Sequence, residues 1–72
     1  MSAKEIFKSI GYECINEKKL IYKGKHFTGR PIHIVFFDNK KLLITQSIGL
    51  DELQAINKQV EELGWNNDNG YN

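Results

Sequence analysis

"LIYKGKHFTGRPIHIVFFDNKKLLITQS", residues 20–47, decides the fold. It holds three β-rich runs, and Pro31 opens the strongest, "IHIVFF". Thr28-Gly29-Arg30 before that run and Asp38-Asn39-Lys40 after it are turn signals. A shorter run upstream, "YECIN", is followed by "NEKK" as its turn. Four strands in an antiparallel meander result.

Face parity fixes the turn lengths. Strand side chains alternate, so Ile32, Ile34 and Phe36 share a face. A three-residue turn at 28–30 puts Leu20, Tyr22, Gly24 and His26 on that face. A two-residue turn would put Lys23 and Lys25 there, which a core does not tolerate, because a one-residue slip flips every side chain. An odd-length turn after Asp38 likewise brings Leu42 and Ile44 beside Ile34 and Phe36.

Outward from this sheet, each flank has helical spacing closed by an aliphatic-Gly-aromatic stop: "SIGY" at 9–12 and "ELGW" at 62–65. In the first, Ser2 and Glu5 make a capping box, and Ile6, Phe7 and Ile10 share a helical face. Gly11 can take the left-handed conformation that ends a helix, and Tyr12 then folds back onto Phe7. In the second, Asp51 is the expected cap with Gln54 three residues on, and Leu53, Ile56, Val60 and Leu63 form the stripe. Gly64 ends it and Trp65 is expected to return onto Val60. Glu61 and Glu62 stand at the negative end of that helix's dipole, an unfavourable place.

Helices this short are marginal alone, so both must lean on the sheet. The expected fold is α+β, a two-layer α-β-β-β-β-α domain over residues 1–65 with both helices on one sheet face and 66–72 a flexible polar tail. The expected core is Ile6, Phe7, Ile10, Leu20, Tyr22, Ile32, Ile34 and Phe36, completed by Leu42, Ile44, Leu53, Ile56, Val60 and Leu63. A chain of 72 residues buries only about 60% of its unfolded surface, so stability is expected to be modest.

The other sheet face then carries Ile21, Lys23, Lys25, His33, Val35, Phe37, Leu43 and Thr45. Ile21, Val35, Phe37 and Leu43 would be adjacent, with lysines around them. An apolar patch with a polar rim reads as a contact surface. The competing reading is that a loop or the 66–72 segment covers it.

Charge is uneven. Residues 18–41 hold seven basic side chains against Asp38, a local +6, and residues 51–72 hold five acidic ones against Lys58, a local −4. Such a field can steer a partner.

Chemistry is harder to find. Cys14 with His26 or His33 lacks any nucleophile–base signature, and one Cys with two His has no zinc spacing. We expect a structural cysteine, no metal, no cofactor and no enzyme. A single Cys fits a reducing cytoplasm. No apolar run spans a membrane, and the acidic Glu5 within "MSAKEIFKSIGYE" argues against a secretion signal. "KGKHFTGR" lacks the GxxxxGK[ST] phosphate loop. As a nucleic-acid site it is more plausible: Lys23, Lys25, His26 and Arg30 can meet phosphates while Phe27 stacks on a base. A charged hairpin that guards an edge strand is the bland alternative.

The opening "SAKEIFKSIGYE", the middle "LIYKGK" and the closing "LQAINKQVEELGW" resemble a group of small uncharacterised proteins of bacteriophages and prophages of Gram-positive bacteria. The resemblance implies a phage context, action inside the bacterial host cell, and binding to a host or phage protein. It transfers no functional residue. The expectation is a non-enzymatic module that binds another protein, or its own copy, through the uncovered sheet face, with nucleic-acid binding by the 23–30 hairpin as the alternative.

Overall fold

The computed structural model describes residues 1–65; the 66–72 segment lies outside the described residues. Helix α1 (Ala3–Ser9) is followed by β1 (Glu13–Asn16), β2 (Ile21–Lys25), β3 (Pro31–Phe36), β4 (Leu42–Ile44) and helix α2 (Leu50–Glu62). The strands form one antiparallel sheet in the order β1-β2-β3-β4.

The parity argument holds in the register. Tyr22 faces Ile34, Gly24 faces Ile32, Ile34 faces Ile44 and Phe36 faces Leu42. Both hairpins use three-residue loops. The first is closed by the His26 N–H donating to the Arg30 carbonyl at 2.8 Å, so its loop is 27–29, one residue earlier than expected. The second is closed by the Phe37 N–H donating to the Lys41 carbonyl at 2.8 Å, with loop 38–40. The last loop residue has positive φ in both cases, Gly29 at 91° and Lys40 at 65°.

The α1 stop behaves as the sequence implies. Ser2 Oγ accepts from the Glu5 N–H at 3.2 Å, and the Glu5 carboxylate accepts from the Ser2 N–H at 2.8 Å. That backbone hydrogen bond holds the Glu5 carboxyl below its ordinary range. At the other end Gly11 has φ of 92°, the Tyr12 N–H donates to the Phe7 carbonyl at 2.8 Å and the Gly11 N–H to Lys8 at 3.1 Å. These are the two bonds of the Schellman closure. The Tyr12 and Phe7 rings meet edge to face at 5.6 Å.

Helix α2 starts earlier than expected. Gly49, not Asp51, is the N-cap, and the Glu52 carboxylate accepts its N–H at 3.0 Å. Asp51 therefore lies inside the first turn. Gly64 does end the helix, with φ of 76° and its N–H donating to the Glu61 carbonyl at 3.0 Å. Trp65 packs on the core, where its ring lies 6.1 Å from that of Phe36.

The two helices run antiparallel, tied at both ends. The Ala3 N–H at the start of α1 donates to Glu62 Oε2 at 2.7 Å, and the Tyr12 hydroxyl beyond its end donates to Glu52 Oε2 at 3.3 Å. Glu62 is thus unfavourably placed on its own helix and favourably placed at the positive end of α1. Glu61 pairs with Lys58 at 2.9 Å, which raises the Lys58 pKa.

Both helices cover one sheet face. Phe7 of α1 stacks on Tyr22 at 3.9 Å, and the Tyr22 hydroxyl donates to Gln59 Oε1 of α2 at 2.7 Å. The buried core is Ala3, Phe7, Tyr12, Tyr22, Ile32, Ile34, Phe36, Ala55 and Ile56, with Gln59 as its buried polar member. Three expected core residues, Leu42, Leu53 and Leu63, are exposed instead. Leu42 lies on the edge strand. The inward stripe of α2 is Ala55, Ile56 and Gln59, which turns Leu53 outward. Small alanines on α1 and α2 suit a close helix–helix approach, and a stripe counted from large apolar residues alone misses them.

Candidate interaction face

The face opposite the helices is built by β2, β3 and β4. Ile21 stands opposite Val35, and Val35 opposite Leu43, so three apolar side chains form a row across three strands. Close cross-strand pairs of this kind are the unit of sheet stabilisation, and they leave their outer surface open here. Ile21 and Val35 are half-buried, whereas Leu43 is 48% and Phe37 44% exposed. Phe37 follows β3 directly and borders a hollow with Ile21, Val35, Lys18, Lys19 and Asp38.

The polar rim continues along the strands. His33 stands opposite Lys23, and Lys23 also opposes Glu13 of β1. On its other side the His33 carbonyl accepts the Thr45 N–H at 3.1 Å, and Thr45 Oγ1 accepts the His33 N–H at 2.9 Å. Lys25 lies further along the same alternation, opposite Pro31. Ile21, His33, Val35 and Leu43 are therefore contiguous, and Phe37 closes the row at one end.

The residues of the nucleic-acid reading are not brought onto one face. Lys23 and Lys25 point with the open face. His26 alternates to the helix side, where Nδ1 lies 2.8 Å from Thr28 Oγ1 and Nε2 lies 2.9 Å from Ser47 Oγ. Phe27 sits at the hairpin tip, 89% exposed, with its ring 4.3 Å from that of His26. Arg30 is exposed across the loop from His26.

The His26 contacts tie the β2–β3 hairpin to the segment that leads into α2. Nothing in the spacing of His26 and Ser47 along the chain announces this tie. A serine hydroxyl beside an imidazole nitrogen is the pairing a nucleophile requires, but the other ring nitrogen meets the neutral Thr28 hydroxyl rather than an orienting carboxylate. We read it as a structural clasp.

Cys14 is half-buried, faces the core beside Tyr22 and is a free thiol. His33 lies on the opposite face of the sheet. Among the described residues no group of three His, Cys, Asp or Glu side chains is placed to hold a metal ion, and no helix is long and apolar enough to cross a membrane. Burial pushes Tyr12 and Tyr22 up to about 12, helped by the Glu52 carboxylate beside Tyr12 and by nearby negative groups around Tyr22. Both phenols belong to the core and do not reach the open face.

Comparison of the chain with protein-family models, with curated proteins and with solved structures finds no match.

Proposed function

We propose that this protein is a small non-enzymatic binding module whose open sheet face docks a protein. The observation that carries the reading is the row Ile21–Val35–Leu43, extended by Phe37, on the sheet face the helices do not cover. Beyond its cross-strand packing the row leaves apolar surface next to water, and a lysine rim around it suits a specific contact. The resemblance to phage and prophage proteins points to a host or phage protein, met in the cytoplasm of the bacterial cell.

Replacing Val35 and Phe37 together with threonine tests this. Threonine keeps strand propensity and removes the apolar surface. The variant should retain the wild-type circular dichroism spectrum and lose whatever protein the wild type retains from a bacterial lysate. Equal retention by both proteins contradicts the reading.

A second reading is favoured by one observation, the nearly full exposure of Phe27 between Lys25 and Arg30. A base stacked there would contribute about 1–3 kcal/mol. Three or four phosphate contacts would weaken binding on the order of 20- to 50-fold between about 50 mM and 200 mM salt. Titration of a labelled single-stranded oligonucleotide with wild type and Phe27→Ala decides it. Loss of tight binding in the variant supports nucleic acid, and no binding by the wild type removes that reading.

A further inference from the structure

The sheet ends in two edges that are built differently. At β1 the register slips between Cys14 and Asn16, and a bulge of this kind blunts an edge against further pairing. Strand β4 forms the other edge and carries no bulge, proline or charge: it is Leu42-Leu43-Ile44, with Leu42 39% and Leu43 48% exposed. The chain after β4 does not wrap around that edge. It crosses inward to the β2–β3 hairpin, where Ser47 Oγ lies 2.9 Å from His26 Nε2. The alternation of the ladder shows which backbone groups are free. The Phe37 N–H donates to the Lys41 carbonyl at 2.8 Å and the Thr45 N–H to the His33 carbonyl at 3.1 Å, so residues 41, 43 and 45 bond toward β3. The N–H and C=O groups of Leu42 and Ile44 then point away from the sheet, and among the described residues nothing pairs with them.

From this edge we infer that two copies of the chain join β4 to β4, antiparallel, about a twofold axis at Leu43. Leu42 of each copy exchanges both backbone bonds with Ile44 of the other, and the two Leu43 side chains meet as a close non-hydrogen-bonded pair on the open face. This register sets apolar against apolar on both faces and Lys41 against Thr45, with no two cations opposed. Moving the axis by one residue sets Leu43 against Lys41 or Leu42 against Gln46. An unstructured peptide on so short an edge would be ordered at a cost comparable with the bonds it gains, whereas the strand of a second copy is already in place. The pairing joins two four-stranded sheets into one, and the row Ile21–Val35–Leu43 runs on into Leu43, Val35 and Ile21 of the other copy. It goes beyond the sheet-face reading, because both open faces stay uncovered. The contact is isologous, so it closes at a dimer, and its short seam makes that dimer weak and exchanging.

Sedimentation velocity tests the inference. Wild type should pass from monomer to dimer between micromolar and millimolar concentration and go no further. Leu42→Pro should stay monomeric, since the proline removes an outward N–H and no bond to β3. Circular dichroism checks its folding, and a second measurement needs no proline. Leu43→Cys should give a disulfide-linked dimer with oxidised glutathione, because the close pair lies within disulfide reach. Lys41→Cys, far from its counterpart in this register, should give no more than wild type with its native Cys14. Val35→Thr with Phe37→Thr should still dimerise, which separates this test from the lysate test of the sheet face. Monomeric wild type up to millimolar concentration, undiminished dimer in folded Leu42→Pro, or equal cross-linking from positions 41 and 43 each overturns the inference. Loss of the dimer with the threonine pair but not with Leu42→Pro overturns it too, and makes the sheet face itself the seam.

Discussion

Tyr12 lays its ring directly against the backbone of Gly24: a Cβ added at Gly24 would come within 2.8 Å of Cδ2 and Cε2 and 2.9 Å of Cγ. Gly24 lies in the middle of β2, where glycine ordinarily weakens a strand. Here its missing side chain is the seat for an aromatic that leaves α1 through the Gly11 closure. Gly24→Ala would push Tyr12 out by its rigid base, not by a flexible tip. We predict a loss of about 1–3 kcal/mol, the usual cost of overpacking, read from urea midpoints. An unchanged midpoint would mean that the ring does not lie there.

Gly64→Ala should cost about 1 kcal/mol, because φ of 76° is strained for any residue with a Cβ. The added methyl meets nothing within 4 Å, so the whole effect is conformational. Urea denaturation of the single variant measures it, and no shift would mean that α2 closes in another way.

Glu62 offers a test of sign. On its own helix the carboxylate opposes the dipole, so neutralising it ought to stabilise α2. Its 2.7 Å bond to the Ala3 N–H argues the reverse. We predict that Glu62→Gln destabilises by roughly 0.5–1 kcal/mol, less at high salt, since the bonded charge is lost from the α1 N-terminus. A stabilised variant in thermal melts would sink the interhelix tie.

The tyrosines set an alkaline limit. Folded Tyr12 and Tyr22 ionise near about 12, whereas unfolded tyrosine ionises near about 10. Below the lower value both states keep the proton and stability is complete. Between the two values the unfolded chain releases protons that the folded chain retains, so stability falls as pH rises. Denaturation midpoints followed from neutral pH upward should drop through this window. The drop should be smaller in Tyr22→Phe, although that variant also leaves Gln59 without its buried donor.

The sheet was legible because alternation and turn length constrain each other: only an odd loop keeps Lys23 and Lys25 out of the core. The α1 closure was legible because Ser2, Glu5, Gly11 and Tyr12 each have one local job. Helix α2 was less so. Its cap depends on Glu52 reaching back to a glycine with no side chain of its own, and its buried stripe includes Gln59, which is inside only because Tyr22 supplies a hydroxyl from the sheet. The role of Glu62 at the start of α1 and the His26–Ser47 clasp are long-range partnerships with no sequence spacing to announce them. The row on the open face followed from parity alone, and its basic surroundings from composition.

The central claim is that the open sheet face docks a protein. A photo-crosslinking residue placed at Leu43, in the middle of that face, tests it most directly, with the same residue at the exposed Ser9 of α1 as control. Irradiation in a bacterial lysate should give a discrete adduct with a different protein from position 43 and none from position 9. No such adduct from position 43, or the same adducts from both positions, would contradict the account.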